Sequence, residues 1–241
     1  MDNIPHSLNT FIPRLLTIAG ASFHLQYAIT DHWSLPEFCW STWLSALCLS
    51  WACALTGLLR MILDAPAQRN FLETRIKITC GWPYLVFLPL FSVLMLGIGW
   101  LLWNILGYLF GFYGIFLSWM AQMEPLVFFG VNGFINSDFF TPVTYLSMKF
   151  WPAILGIFLA NLGKVLTPNP RHALIYPFSS GEILRVHLMV ILMPFFCLGA
   201  WLIDRSQYQP ITIIILTAIF YLSGQRPIMN PTQAENILRG K

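Results

Sequence analysis

From Trp82 to Met123 the chain carries no Asp, Glu, Lys or Arg. An uncharged apolar run of that length is about twice what one helix needs to cross a hydrocarbon layer of roughly 30 Å. No soluble core has room for it as a surface helix. Comparable apolar runs recur at 38–61 and 183–203. With 57% apolar and only 10% charged residues, the chain lacks the polar surface that would clothe a water-soluble globule. The expected fold is all-α, a polytopic membrane protein of about six transmembrane helices, with a further interfacial or re-entrant segment within 110–140.

The six helices are expected at 11–29, 38–61, 82 to about 110, 145–164, 183–203 and 210–224. Together they make one transmembrane domain over 1–224, followed by a polar tail at 225–241. The first thirteen residues, MDNIPHSLNTFIP, lack the basic start and small-residue cleavage site of a signal peptide. The first helix is therefore expected to stay in the membrane. Residues 62–81 hold Arg69, Arg75 and Lys77 and suggest a cytoplasmic, partly interfacial connector.

The positive-inside rule sets the orientation. A cytoplasmic N-terminus and a single crossing in 82–122 place Arg60, Arg69, Arg75, Lys77, Lys164, Arg171 and Arg185 inside, and leave only Lys149 and Arg205 outside. The acidic Asp31, Glu37, Glu124, Asp138 and Asp204 then fall in the outer connectors. Both termini are expected on the cytoplasmic side of a cytoplasmic (inner) membrane.

Thirteen Lys and Arg residues give a net charge of +3, but they are scattered through short connectors and form no basic stripe. Nucleic-acid binding is not expected. Five cysteines form no CxxC pair and have no histidines at metal spacing, so no metal and no cofactor is expected. HExxH, GxSxG and the phosphate-cradling GxxxxGK[ST] are all missing. The partners expected are the lipid bilayer and either a second copy of the chain or another membrane protein.

Polar side chains inside apolar helices are the candidates for chemistry, because hydrocarbon makes them costly. They are His24, Asn104, Asn161 and His187. In a transporter or channel they would converge near the midplane; in an inert bundle each would bond a neighbouring helix, for about 1 to 2 kcal/mol or less. Glu182 and Arg185, three apart at the start of the fifth helix, can pair at the cytoplasmic edge and anchor it. With His187 nearby, that edge could also serve a membrane enzyme handling a lipid headgroup. Small residues at every fourth position, Thr42, Ala46, Ser50 and Ala54, mark a face for close helix packing, as do the pairs Gly107/Gly111 and Gly156/Ala160.

Two stretches also carry a family resemblance. YPFSSGEILRVHLMVILMP at 176–194, with Pro177, Ile183, Val186 and His187, resembles the closing signature of an uncharacterised prokaryotic family of small multi-pass membrane proteins. In that family Pro-Tyr precedes Arg-Ile-Val-Val-Leu-His and an apolar helix. WLSALCLSWACALTGLLRMI at 43–62 resembles its early tryptophan-bearing helix. The sequence departs from the pattern at Glu182, where the family has arginine, and at Phe178, where it has tyrosine. The resemblance implies a prokaryotic membrane fold and no particular reaction. The favoured reading is a structural or accessory component of a membrane complex, not an enzyme.

Overall fold

The computed structural model describes residues 6–64, 82–120, 140–167, 169–179 and 182–222. Among them the secondary structure is entirely helical: α1 His6–Thr30, α2 Leu35–Asp64, α3 Trp82–Met120, α4 Phe140–Lys149, α5 Trp151–Ala160, α6 Leu162–Val165, α7 Pro170–Ser179, α8 Glu182–Ile203 and α9 Tyr208–Leu222.

Three of these are long and apolar enough to cross a membrane, over Leu35–Leu63, Pro89–Gly114 and Leu184–Ile203. A fourth span arises if α4 and α5 count as one broken crossing. Of the six helices expected, α1 is the least apolar long helix and α9 has only 15 residues. The run after Trp82 is one helix of 39 residues, not two. The connector 65–81 and the segment 121–139 lie outside the described residues, and so does the tail after Leu222.

The helix expected at 145–164 is a correction. It breaks at Phe150, where α4 and α5 meet at 82°. A proline inside a continuing helix would lack its donor and clash with the carbonyl four residues back. Here the chain stops at Phe150 (φ −112°, ψ 25°) and restarts with Pro152 in the first turn of α5, where a missing N–H is harmless. The same backbone conformation at Asn161 (φ −117°, ψ 19°) separates α5 from the single turn α6.

The core is built around α2. Every side chain from Phe38 to Leu47 is buried, so this part of the helix is covered all round, whereas Leu55, Leu59 and Leu63 toward its C-terminus are exposed. Such burial would be costly for its hydroxyls, but each bonds back into its own helix. Thr42 donates to the Phe38 carbonyl at 2.9 Å, Ser45 to Ser41 at 2.6 Å and Ser50 to Ala46 at 2.8 Å. Thr42, Ala46, Ser50 and Ala54 are all buried. α3 lies antiparallel on α2, with the Trp43 indole donating to the Phe110 carbonyl at 2.8 Å and Trp51 stacked on Trp103 at 3.8 Å.

The basic segment expected as a connector after 164 contains α7, which packs extensively on α2. Gly57 allows this: a Cβ there would sit 2.9 Å from both Leu174 Cγ and the Pro170 carbonyl. α1 makes its main contact with α5. It buries Thr17, Gly20, His24 and Ala28 on one face, and exposes Phe11, Leu15 and Ile18 on the other.

The turn from α1 to α2 uses two capping devices in succession. Trp33 N–H bonds the Ala28 carbonyl at 2.9 Å and His32 N–H bonds Ile29 at 3.2 Å, with His32 at φ +51°. This is a Schellman motif with histidine in the left-handed position usually given to glycine. Ser34 then opens α2, its N–H and hydroxyl both reaching Glu37 Oε2 at 2.8 Å while Glu37 N–H returns to Ser34 Oγ at 3.4 Å. That is a capping box. The free Glu37 oxygen takes Lys149 Nζ at 2.6 Å and so ties the end of α4 to the start of α2. Ser34→Ala removes the cap and is expected to lower unfolding stability by about 1 kcal/mol. A thermal melt in detergent unchanged from wild type would show that the cap contributes nothing.

Candidate functional site

α1 presents His24 from its buried face, and the surrounding helices close over it completely. The imidazole stacks on Phe38 (5.1 Å between centroids) and meets the rings of Trp33 and Tyr221 at steeper angles. Its Nε2 lies 3.0 Å from Ser41 Oγ in α2, and its Nδ1 lies 3.1 Å from the Tyr221 hydroxyl in α9. Three helices are joined through one ring.

The proton positions follow from the far end of this chain. Ser41 donates to the Phe38 carbonyl at 2.7 Å, so its oxygen is left to accept. Nε2 is then the protonated nitrogen, and Nδ1 of the neutral ring accepts from Tyr221. A neutral ring suits the site, since no acidic side chain is among its partners and burial penalises an unpaired charge. Every donor points the same way and the series ends on a carbonyl. A backbone carbonyl cannot pass a proton on, so the arrangement works as a strut between helices.

Room for the strut comes from Gly156. A Cβ on Gly156 would lie 2.7 Å from the Gly20 carbonyl, 3.0 Å from the Tyr221 hydroxyl and 3.2 Å from His24 Cβ. A Cβ on Gly20 would collide with the Gly156 carbonyl and crowd Ala160 at 3.1 Å. The crossing of α1 and α5 is thus backbone on backbone, and Thr17 extends it with a 3.4 Å bond to the Ala160 carbonyl.

A second polar cluster sits where α5, α6 and α7 meet. Asn161 anchors its amide on the Ile157 carbonyl at 3.0 Å and accepts Lys164 Nζ at 2.6 Å. Lys164 also reaches the Tyr176 hydroxyl at 3.1 Å. Nearby, Arg60 donates to the Leu166 carbonyl at 3.0 Å, tying the end of α2 to the same region.

The other residues proposed from sequence lie elsewhere. Asn104 donates to the Trp100 carbonyl of its own helix at 2.7 Å and lines a groove of about 480 Å³ between α2 and α3. Trp51, Leu55, Leu59, Met95 and Trp103 supply much of its apolar wall. His187, half-buried in α8, meets the edge of Tyr113 at 5.3 Å. His24, Asn104, Asn161 and His187 therefore sit among different neighbours instead of converging on one cavity. Arg185 is half-buried, and the side chain of Glu182 lies outside the described residues. Gly107 is half-buried and Gly111 buried on α3. Among the described residues no group of three His, Cys, Asp or Glu side chains is placed to hold a metal ion.

No family model, curated protein or solved structure matches this chain. The site is therefore interpreted from its own chemistry. Gly20, Ser41 and Tyr221 are the partners that the sequence alone does not single out. Gly20 carries a faint signal, since Thr17, Gly20, His24 and Ala28 recur at helical spacing.

Proposed function

We propose that this chain is a multi-pass component of a prokaryotic inner membrane, acting as a structural or accessory part of a membrane complex. In this reading α1 and α9 complete six crossings, with both termini cytoplasmic. The observation that carries it is the dispersal of the buried polar side chains: both ring nitrogens of His24 are bonded, to Ser41 and Tyr221, and Asn161 is bonded by Lys164 and its own helix. A transporter would gather such groups along a water-accessible path. Much of the outer surface is apolar, including Phe11, Leu90, Trp100, Phe195 and Ile203, as suits lipid and membrane-embedded partners.

Two measurements test this reading. Extracted in a mild detergent, the protein is expected to migrate above the size of a single chain. Reconstituted alone in proteoliposomes, it is expected to give no ion flux. A monomer whose flux disappears with His187→Ala would overturn the proposal in favour of a small transporter.

A further inference from the structure

We infer that α3 is a self-association helix, pairing with α3 of a second copy through a seam centred on Asn104. The inference rests on the reading above and names the partner. Of the three helices suited to cross a membrane, α3 buries the smallest share of its side chains. Its outward face carries Leu90, Leu94, Gly97, Leu101 and Tyr108, with the half-buried Asn104 at the edge shared with the α2–α3 groove, all at alternating spacings of four and three. That is the 3.5-residue repeat that keeps one seam facing a partner helix. Leu90, Leu94, Leu101 and Tyr108 are each more than half exposed, and a Cβ on Gly97 would meet nothing within 4 Å.

The second observation is chemical. Asn104 lies within about one turn of the centre of the span Pro89–Gly114. One amide hydrogen goes to Trp100, but among the described residues no donor reaches Oδ1. Near the centre of a bilayer no water and no headgroup is at hand to supply one, and an acyl chain has no donor to offer. A carboxamide offers both a donor and an acceptor, so two copies related by a two-fold axis satisfy each other reciprocally. Copies inserted in the same direction share an axis along the membrane normal. Each seam residue must then face its own counterpart, whereas Leu96, also exposed on α3, points about 100° away from Gly97.

The test is oxidative cross-linking in native membranes of protein carrying Leu101→Cys, Tyr108→Cys or Leu96→Cys, with the unmodified chain as baseline for its own cysteines. Disulfide-linked dimers are expected with the first two and not with the third. Adding Asn104→Leu should cut the Leu101→Cys yield by roughly three- to thirtyfold, the span that intramembrane polar contacts produce in model systems. Asn104→Gln should restore much of it. Gly97→Leu, which blocks close approach without touching the amide, should also reduce it. Equal yields at Leu96 and Leu101, or yields unmoved by Asn104→Leu, would overturn the inference. No dimer from any variant, in a protein that still migrates above one chain, would refute pairing through α3 and leave the broader proposal standing. A monomer throughout would refute both.

Discussion

Gly156→Val is expected to destabilise the protein by about 3 kcal/mol or more, at the upper end of what overpacking a buried site costs. Two effects compete at this position. Replacing glycine inside a helix favours the folded state by up to about 1 kcal/mol for alanine, less for valine. Against this stands the crossing with α1, where even a bare Cβ would lie 2.7 Å from the Gly20 carbonyl. The obstructing atom is backbone and cannot rotate aside, so the two helices must separate along their whole contact. Separation also pulls His24 from Tyr221, since the same Cβ would stand 3.2 Å from His24 Cβ and 3.0 Å from the tyrosine hydroxyl. The clash therefore wins. For a chain of this size the loss corresponds to a fall of about 10 °C in melting temperature. Gly199→Ala, one turn before the end of α8 with nothing within 4 Å of the added carbon, provides the contrast: unchanged or slightly higher stability. If Gly156→Val melts with wild type, the α1–α5 crossing is not where the structure places it.

The contrast between these glycines also shows what could be read in the chain beforehand. Hydropathy alone locates α2, α3 and α8, because a membrane-spanning helix must satisfy its own backbone and so announces itself as a long apolar run. The helix expected at 183–203 differs by one residue from α8, Glu182–Ile203. α7 is illegible by that signal: PRHALIYPFS has two prolines and two basic groups, and its docking depends on Gly57 in another helix. The break at Phe150 is signalled by Pro152, although a proline alone does not say whether a helix bends or stops. The capping box at Ser34-Leu35-Pro36-Glu37 is spelled in four consecutive letters, as local motifs are. Gly156 stands out within α5, but its partner Gly20 belongs to a different helix, and no single-helix periodicity joins them. The same limit applies to the histidine: its partners Ser41 and Tyr221 lie 17 and 197 positions away.

That non-local bonding makes His24 the second position where a large effect is expected. His24→Ala leaves a cavity among Phe38, Trp33 and Tyr221, and deletes both hydrogen bonds at once. Truncating a buried aromatic ring costs about 3 to 5 kcal/mol, and a loss in that range is expected here. The polar share can be separated from the packing share. His24→Phe keeps a ring on Phe38 but removes the nitrogen that bonds the Tyr221 hydroxyl, a loss expected to cost about 1 kcal/mol. Tyr221→Phe removes that hydroxyl and strands Nδ1 instead. If the bond at 3.1 Å joins them, the double variant should cost less than the sum of the singles. The shortfall should be about 0.5 to 1.5 kcal/mol, the usual net contribution of one intramolecular hydrogen bond. Thermal unfolding of the four proteins in one detergent measures it. Strict additivity would mean that histidine and tyrosine do not interact. A strut also predicts that Ser41→Ala, which removes the last link before the Phe38 carbonyl, lowers stability without changing any exchange of protons across the membrane. A proton relay would stop at that substitution.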